Sequence, residues 1–286
     1  MSERTALFWR AAGNGAVVCE LCPRLCRIAA GGTGFCRVRK NIGGRLAAES
    51  YGLLSALCSD PVEKKPLSRF MPGKRVLSLG SFGCNLSCPF CQNHEIAADF
   101  DMRGAKSFSP EEIVRLALKS VPEGNIGAAY TYNEPTVNYE FMSDCAALVR
   151  EAGLLNVVVT NGYIRGEALE ALLPLIDAMN IDLKAFSEGF YKKIGGDLET
   201  VKKTIARARA RCHVEVTTLV IPGENEKDVE GLAAWLSSLD PGIPLHLSRF
   251  FPRHKYSRKE PTPRESIYKS AEIAGKYLTC VYAGNM

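Results

Sequence analysis

Short apolar strands alternate with amphipathic helices from Arg75 to the end of the sequence, and this pattern limits the fold more strongly than any other feature. The expected strands are RVLSLGS (75–81), IGAAYTY (126–132), NVVVT (156–160), DAMNIDL (177–183), HVEVTTLV (213–220), IPLHLSR (243–249) and, as a final strand, TCVYAG (279–284). Such alternation favours a parallel sheet, because parallel strands are joined by crossover helices.

The number of strand–helix units separates two parallel architectures. The 212 residues from Arg75 onward accommodate about six or seven units at roughly 30 residues each. That number falls short of the eight units of a complete TIM barrel. We therefore expect an α/β fold with a partial (β/α)6 TIM-like barrel, and a flat doubly wound sheet is the competing architecture.

Two of the expected helices carry start signals. Ser109 is an N-cap candidate, with Pro110 at the first helical position and Glu112 completing a capping box. The last helix is expected to begin at Thr262, with Glu265 completing a second capping box.

Residues 1–72 differ from the rest in their density of Cys, Gly and Pro. We interpret them as a small cysteine-rich metal-binding region with a linker, followed by the barrel at 73–286. Four cysteines in this region have the spacing C-x2-C-x3-C-x9-C: Cys19, Cys22, Cys26 and Cys36. Four thiolates complete a closed site, and they indicate either zinc or a second iron–sulfur cluster. Four cysteines without metal are the third alternative.

Bulk properties exclude several classes of protein. No apolar run reaches the roughly 18 residues of a membrane span, and the N-terminus lacks a signal-peptide pattern, so we expect a cytoplasmic protein. Eleven cysteines there indicate metal binding rather than disulfides. The scattered Cys58, Cys145, Cys212 and Cys280 are interpreted as small buried hydrophobic residues, and His213 and His246 as core residues. The net charge of +5 is compatible with an acidic electron carrier or a nucleic acid.

A second cysteine group follows the first barrel strand in the sequence GSFGCNLSCPFCQNHE (80–95). Cys84, Cys88 and Cys91 are spaced C-x3-C-x2-C, and loops after parallel strands form the active-site face of such folds. Three thiolates on a [4Fe–4S] cluster leave one iron open to a small molecule. The alternative is a zinc site that takes His94 as its fourth ligand.

This array resembles the hallmark of the radical S-adenosylmethionine (SAM) superfamily, C-x3-C-x-Φ-C, with Phe90 as the aromatic residue. The resemblance implies that the open iron binds the amino and carboxylate groups of SAM. It also implies that a low-potential donor of the ferredoxin or flavodoxin type reduces the cluster. The SAM sulfonium bond then breaks, and the 5′-deoxyadenosyl radical abstracts a hydrogen atom from the substrate.

Further segments resemble the SAM-binding segments of this superfamily. YTYNEPT stands where a Gly-Gly-Glu motif commonly holds the SAM amino group, which implies that role for Asn133 and Glu134. TNGY, DLK and TTLVIPGENE resemble segments of the pyruvate formate-lyase activating enzymes. They imply ribose, carboxylate and adenine contacts at Thr160, Asn161, Asp182, Lys184 and Ile221.

Taken whole, the chain resembles the radical SAM component of the AmmeMemoRadiSam system. The resemblance implies a separate protein glycine as substrate, or a small molecule handled with the other system proteins. RNA is a third option, because SRFFPRHKYSRK (248–259) interleaves basic residues with aromatic rings. A solvated loop explains the same segment. A non-enzymatic iron–sulfur or zinc scaffold is the rival from another class.

Overall fold

The computed structural model describes residues 4–286, which form fifteen strands and eight α-helices. The strands are β1 (Trp9–Ala11), β2 (Val17–Cys19), β3 (Arg27–Ile28), β4 (Arg39–Ile42), β5 (Arg45–Ala48), β6 (Leu53–Leu54), β7 (Ala56–Pro61), β8 (Arg75–Gly80), β9 (Lys106–Ser107), β10 (Asn125–Tyr130), β11 (Leu155–Thr160), β12 (Ala178–Asp182), β13 (His213–Val220), β14 (Leu245–Arg249) and β15 (Val281–Gly284). The α-helices are α1 (His94–Ala97), α2 (Pro110–Lys119), α3 (Tyr139–Glu151), α4 (Gly166–Leu172), α5 (Glu188–Lys193), α6 (Leu198–Arg209), α7 (Val229–Leu239) and α8 (Arg264–Ala274).

An eight-stranded sheet in the order β15-β14-β13-β12-β11-β10-β8-β7 is the centre of the fold. Its strands from β8 to β15 pair in parallel, and β7 pairs with β8 antiparallel at one edge. The predicted α/β fold with a parallel sheet is confirmed, including the final strand β15. The sequence did not predict β7, because its residues lie in a segment that reads as a linker.

The two faces of the sheet are covered differently. One face packs against the helices, with α3, α6 and α8 contacting β11, β13 and β14. The other face includes Val76, Ala129 and Val157, and it packs against Val62 and Leu67 of the segment after β7 rather than against an α-helix. Helices on one face only are the arrangement of a barrel wall, whereas a doubly wound sheet carries helices on both faces.

The segment after β7 closes the end of the barrel at which the strands begin. The backbone N–H groups of Ser68 and Arg69 donate to the buried Glu215 carboxylate at 3.0 and 2.7 Å. The side chain of Asn180 donates to the Pro66 carbonyl at 2.8 Å. Residues on both sides of the position-72 boundary therefore share one sheet and one core.

The N-terminal lobe (residues 4–55) contains two small antiparallel sheets, β1-β2-β3 and β4-β5, and its β6 pairs antiparallel with β9. A buried ion pair joins this lobe to α3. Arg39 and Glu140, 1% and 0% exposed, make two hydrogen bonds of 3.1 and 3.0 Å. Arg39 also donates to the Leu7 carbonyl at 2.6 Å, and the Glu140 carboxylate accepts from the Leu7 N–H at 2.7 Å. The lobe and barrel are thus fastened by groups that would be costly to bury unpaired.

The two predicted capping boxes have different outcomes. The box of Ser109 and Glu112 is confirmed, with both reciprocal hydrogen bonds formed. The box at Thr262 is wrong, because α8 begins after Pro263 and has no side-chain cap. Thr262 is fully buried instead, and its hydroxyl donates to the Val220 carbonyl at 2.7 Å, which ties the loop to β13.

The predictions for the scattered cysteines and for the two core histidines also have different outcomes. Cys145 is fully buried, as expected, whereas Cys58 is exposed on the edge strand β7, so the prediction for Cys58 is wrong. Cys212 and Cys280 are half-buried. His246 is a buried residue that donates to Glu215 at 2.6 Å, and the half-buried His213 donates to the same carboxylate at 2.9 Å.

Candidate functional site

The loop that carries Cys84, Cys88 and Cys91 begins where β8 ends. Asn133 fastens this loop, because its amide nitrogen donates to the carbonyls of Phe82 and Gly83 at 2.9 and 3.0 Å. Its amide oxygen accepts from the Ser81 N–H at 2.9 Å. All three of these hydrogen bonds are made to the backbone, so Asn133 positions the cysteine loop.

The three cysteines of this loop are free thiols in a desolvated environment. Burial raises the pKa of Cys88 to about 11, and it also raises the pKa values of Cys84 and Cys91. Lys184 opposes this rise for Cys88 and Cys91. Thiols in such surroundings become thiolates only where a bound cation compensates their charge. Three of them in one loop fit an iron–sulfur cluster with one open position.

Glu134 places a buried carboxylate beside this loop. Its Oε1 accepts hydrogen bonds from the Thr136 N–H, the Thr136 hydroxyl and the Thr160 hydroxyl, at 3.0, 2.8 and 2.7 Å. Its Oε2 accepts from the Asn161 N–H at 2.8 Å. Within residues 4–286, no lysine, arginine or histidine forms an ion pair with Glu134.

The electrostatics of Glu134 follow from this geometry. Burial raises its pKa, although the four hydrogen bonds act in the opposite direction. The negative charge also contributes to the raised pKa of Cys84. A buried carboxylate without a countercharge, with acceptor capacity left on Oε2, fits the ammonium group of an amino-acid ligand such as SAM.

Asn161 connects the carboxylate to the cysteine loop. Its amide nitrogen lies 3.7 Å from the Cys84 sulfur and donates to the Asn85 side-chain oxygen at 2.8 Å. The Asn85 amide in turn donates to the Tyr163 carbonyl at 2.7 Å. Glu134, Thr160 and Asn161 thus meet at the ends of β10 and β11, next to Cys84.

Asp182 is the last residue of β12, Lys184 follows the strand, and the two side chains form an ion pair of 2.9 Å. Lys184 is 16% exposed, and the Cys88 thiol contributes to its raised pKa, after Asp182. This ion pair therefore lies on the side of the cysteine loop that contains Cys88. Ile221 is fully buried in the core, and its N–H donates to the Asn225 side chain at 2.8 Å.

Phe90 is 5% exposed and packs against other rings rather than lining open space. Its ring centroid lies 5.9 Å from that of Phe190 and 6.1 Å from that of Tyr256. The Tyr256 N–H also donates to the Pro89 carbonyl at 3.1 Å. The aromatic residue of the motif therefore anchors the cysteine loop to the loop after β14.

Two contributors to the site were missed from the sequence. Arg24, within the first cysteine group, donates from Nε to the Asn85 carbonyl at 2.5 Å. Gly83 has φ 85°, and a Cβ there would lie 2.6 Å from the Cys36 carbonyl oxygen. A glycine immediately before the first cysteine was a usable signal, because glycine tolerates this backbone conformation. Nothing in the sequence distinguishes Arg24.

The first cysteine group is assembled in the N-terminal lobe. Burial, together with the neighbouring thiols of the group, raises the pKa of Cys22 to about 12 and that of Cys36 to about 11. Among the described residues, no three cysteine sulfurs lie within 4.8 Å of one another. Sulfurs around one zinc ion lie about 3.8 Å apart, as follows from Zn–S bonds of about 2.3 Å.

The basic and aromatic segment after β14 is occupied by internal contacts. Phe250 is 1% exposed, and the Tyr256 hydroxyl and the Lys259 ammonium both bond to Glu224, at 2.9 and 2.7 Å. Arg249 donates to the Thr262 carbonyl. These contacts account for much of the basic and aromatic character of the segment without RNA.

His94, the candidate fourth zinc ligand, shares a 3.1 Å hydrogen bond with Asp99.

The helices of residues 4–286 include none that is long and apolar enough to cross a membrane.

Comparisons with known proteins give the family. The profile of the radical SAM superfamily matches residues 79–236, more than half of the chain. An uncharacterized protein of Methanocaldococcus jannaschii is 41% identical over 292 residues, covering 99% of this chain and 85% of that protein. The pyruvate formate-lyase-activating enzyme of Clostridium pasteurianum is 29% identical over 154 residues, covering 50% of this chain and 63% of that enzyme.

One solved structure extends the comparison to the fold. The crystal structure of QueE from Escherichia coli superposes with a TM-score of 0.51 at 14% identity, covering 82% of this chain and 94% of that one. At this identity the likeness concerns the fold alone. The family match includes the three-cysteine loop and the strands that carry Glu134 and Asn161. The chain belongs to the radical SAM superfamily, and it is therefore an enzyme of a family that uses a [4Fe–4S] cluster and SAM.

Proposed function

We propose that this enzyme cleaves SAM reductively and uses the resulting 5′-deoxyadenosyl radical to abstract a hydrogen atom from a separate substrate. A [4Fe–4S] cluster held by Cys84, Cys88 and Cys91 supplies the electron and an open iron position when it is bound. The observation that carries the proposal is the buried, cation-free Glu134 carboxylate beside the three-thiol loop.

The chain's own residues have distinct tasks in this proposal. Glu134 binds the SAM ammonium, because no lysine, arginine or histidine of residues 4–286 pairs with its charge. Thr160 and Asn161 hold that carboxylate in place through 2.7 and 2.8 Å hydrogen bonds. Asn133 keeps the backbone before Cys84 fixed, and the Asp182–Lys184 pair offers the polar contacts for the ribose or the SAM carboxylate.

Anaerobic reconstitution tests the reaction. Wild-type protein with dithionite and SAM should yield 5′-deoxyadenosine, and Cys88→Ala should yield none. Cys58→Ala is the matched control, since Cys58 is an exposed cysteine outside both cysteine groups, and its yield should equal that of wild type. Fully loaded wild-type protein that cleaves no SAM would contradict the proposal.

For the N-terminal lobe, we propose an auxiliary iron–sulfur cluster rather than zinc at Cys19, Cys22, Cys26 and Cys36. No three of these sulfurs lie within 4.8 Å of one another, which supports the proposal because the thiolates of a cubane are held farther apart than those around one zinc ion. Protein with Cys84, Cys88 and Cys91 replaced by alanine should still retain iron and sulfide after reconstitution. Stoichiometric zinc in place of that iron would identify the site as zinc.

We propose a glycine of a separate protein as the substrate. Support comes from the Clostridium pasteurianum relative, whose name describes an activating enzyme of pyruvate formate-lyase. Cells of the source organism grown on α-deuterated glycine provide the test. Incubation of the enzyme with the macromolecular fraction of their extract should transfer deuterium into 5′-deoxyadenosine. Transfer only from the low-molecular-weight fraction would identify a small molecule, and transfer abolished by ribonuclease would identify RNA.

The partners follow from the same proposal. A ferredoxin- or flavodoxin-type donor in the cytoplasm supplies the electron, and the other AmmeMemoRadiSam proteins act with this enzyme on its substrate. The motifs at both ends of the chain, CPRLC…GTGFCRVRKN and HLSRFFP…VYAGN, support membership of that system. Addition of purified system proteins should raise the rate of 5′-deoxyadenosine formation, and no change in rate would contradict this assignment.

A further inference from the structure

Two histidines and one aspartate meet beside the cysteine loop without belonging to it. His94 is the first residue of α1, Asp99 follows that helix, and His254 lies in the loop after β14. One ligand atom from each residue lies within 4.8 Å of the others. The group uses no residue to which the radical reaction gives a task.

The ligand atoms of the three side chains lie close enough together to reach one ion. Nδ1 of His94 lies 3.1 Å from Oδ2 of Asp99, and Nδ1 of His254 lies 3.9 Å from the same oxygen. Metal bonds to imidazole nitrogen and carboxylate oxygen of about 2.0–2.2 Å place two ligands of a tetrahedral ion about 3.4 Å apart. The two spacings to the Asp99 oxygen therefore lie within about half an ångström of this value. The two imidazole nitrogens lie within 4.8 Å of each other, so binding would bring them closer by up to about 1.4 Å and turn one of the stacked rings toward the ion.

The backbone and packing hold the group in this arrangement. The N–H groups of Ala98 and Asp99 both donate to the His94 carbonyl, at 2.8 and 2.9 Å, which fixes the spacing of the first two ligands. The ring of His254 stacks on that of His94 with centroids 4.5 Å apart and an interplanar angle of 23°. The loop of His254 is tied to the cysteine loop through Tyr256 and Pro89.

We propose that His94, Asp99 and His254 form a site for a divalent transition-metal ion such as Zn²⁺ or Fe²⁺. Two imidazoles and one carboxylate suit such ions, and three protein ligands leave coordination positions for water or an anionic oxygen of a substrate. The exposed Asp99 gives the ion access to solvent. His94 stands three residues after Cys91, so the site adjoins the three-cysteine loop.

Cobalt is a suitable probe, because X-ray absorption at its edge separates nitrogen and oxygen ligands from sulfur. Iron–sulfur-loaded protein should bind one equivalent of Co²⁺ in equilibrium dialysis, with nitrogen and oxygen neighbours only. Asp99→Asn should weaken binding by more than about tenfold, since even outer-shell partners of metal ligands contribute that much. His254→Phe keeps a ring stacked on His94 while removing the ligand nitrogen, and it should weaken binding equally.

Asp101→Asn is the matched control. Asp101 is an exposed carboxylate two residues along, and its partner is Arg103 at 2.6 Å, so the variant should bind Co²⁺ as wild type does. Iron and sulfide contents are measured for every variant, so loss of the clusters is separated from loss of this site. Wild-type protein that binds no cobalt, binds it only through sulfur, or binds it no more tightly than Asp99→Asn does would overturn the proposal.

Discussion

The proposed role of Glu134 makes a quantitative prediction for Glu134→Gln, which removes the charge and keeps the shape. A hydrogen bond to a charged group contributes about 1.5–3 kcal/mol. Loss of the charge should therefore weaken SAM binding by about 10- to 150-fold, at about 1.4 kcal/mol per factor of ten.

The substitution also has a structural cost that the geometry defines. The amide oxygen of the introduced glutamine would replace Oε1, which accepts three hydrogen bonds, so the amide nitrogen would face the Asn161 N–H at the position of Oε2. Two donors then oppose each other, at a cost of about 1–3 kcal/mol in the free energy of unfolding. Thr136→Val removes one of the same hydrogen bonds without removing the charge, and it is the matched control.

Equilibrium dialysis of labelled SAM against reconstituted, unreduced protein measures the affinity without cleavage. Because burial raises the pKa of Glu134, wild-type affinity should fall with decreasing pH while the pH is still above the ordinary titration range of a carboxyl group. Glu134→Gln should show no such dependence. An equal, modest loss of SAM affinity in Glu134→Gln and Thr136→Val at equal iron content would contradict a role for the Glu134 charge. The same conclusion would follow if SAM binding to Glu134→Gln still weakened with decreasing pH.

Three further predictions test the structure around the site. Glu140→Gln leaves the buried Arg39 charge unpaired and should lower the free energy of unfolding, measured in urea, by about 3–5 kcal/mol. The double variant Arg39→Met/Glu140→Leu should recover most of this stability. Equal loss in both variants would contradict a stabilising role of the ion pair. Gly83→Ala should lower iron binding at the three-cysteine loop, because the added Cβ clashes with the Cys36 carbonyl. Gly73 has a similar φ and open space around it, so Gly73→Ala should bind iron as wild type does. Equal iron contents in the two variants would show that the clash does not affect the loop. Hydrogen bonds from His213 and His246 hold the pKa of Glu215 at about 2 despite its burial, so the stability that this group contributes is present above about pH 4.5 and is lost as pH falls toward 2. Between pH 7 and pH 3 the melting temperature should therefore fall more steeply for wild type than for Glu215→Gln. Parallel curves would contradict a stabilising role of the Glu215 charge.

The parallel strands and the meeting of Glu134, Thr160 and Asn161 were predictable for one reason. Carboxyl ends of neighbouring parallel strands lie at the same edge, so motifs that follow successive strands must converge. The sequence did not predict β7 or the plug of residues 62–70, since prolines and charges there read as a linker. Thr262 was misassigned because local capping preference was outweighed by a buried hydrogen bond to β13. Long-range contacts of this kind leave no local pattern.

The N-terminal lobe contacts the cysteine loop so closely that the two metal sites should not behave independently. The backbone of Cys36 packs on Gly83, and Arg24 donates to the Asn85 carbonyl between Cys84 and Cys88. With metal at the proposed four-thiol site, its loss should release both contacts, because Arg24 lies between two of the four cysteines and Cys36 is one of them.

Cys22→Ala should therefore reduce 5′-deoxyadenosine formation even where iron at the barrel loop is retained. A purely structural coupling of this kind would also raise the exposure of the loop to amide hydrogen exchange at residues 83–91. A role limited to electron conduction would slow the reaction and leave exchange unchanged. If Cys22→Ala retains wild-type activity and wild-type exchange, the contacts through Gly83 and Arg24 do not couple the sites. Because one cysteine group packs directly on the other, a structural coupling changes both activity and amide exchange, whereas electron conduction changes activity alone.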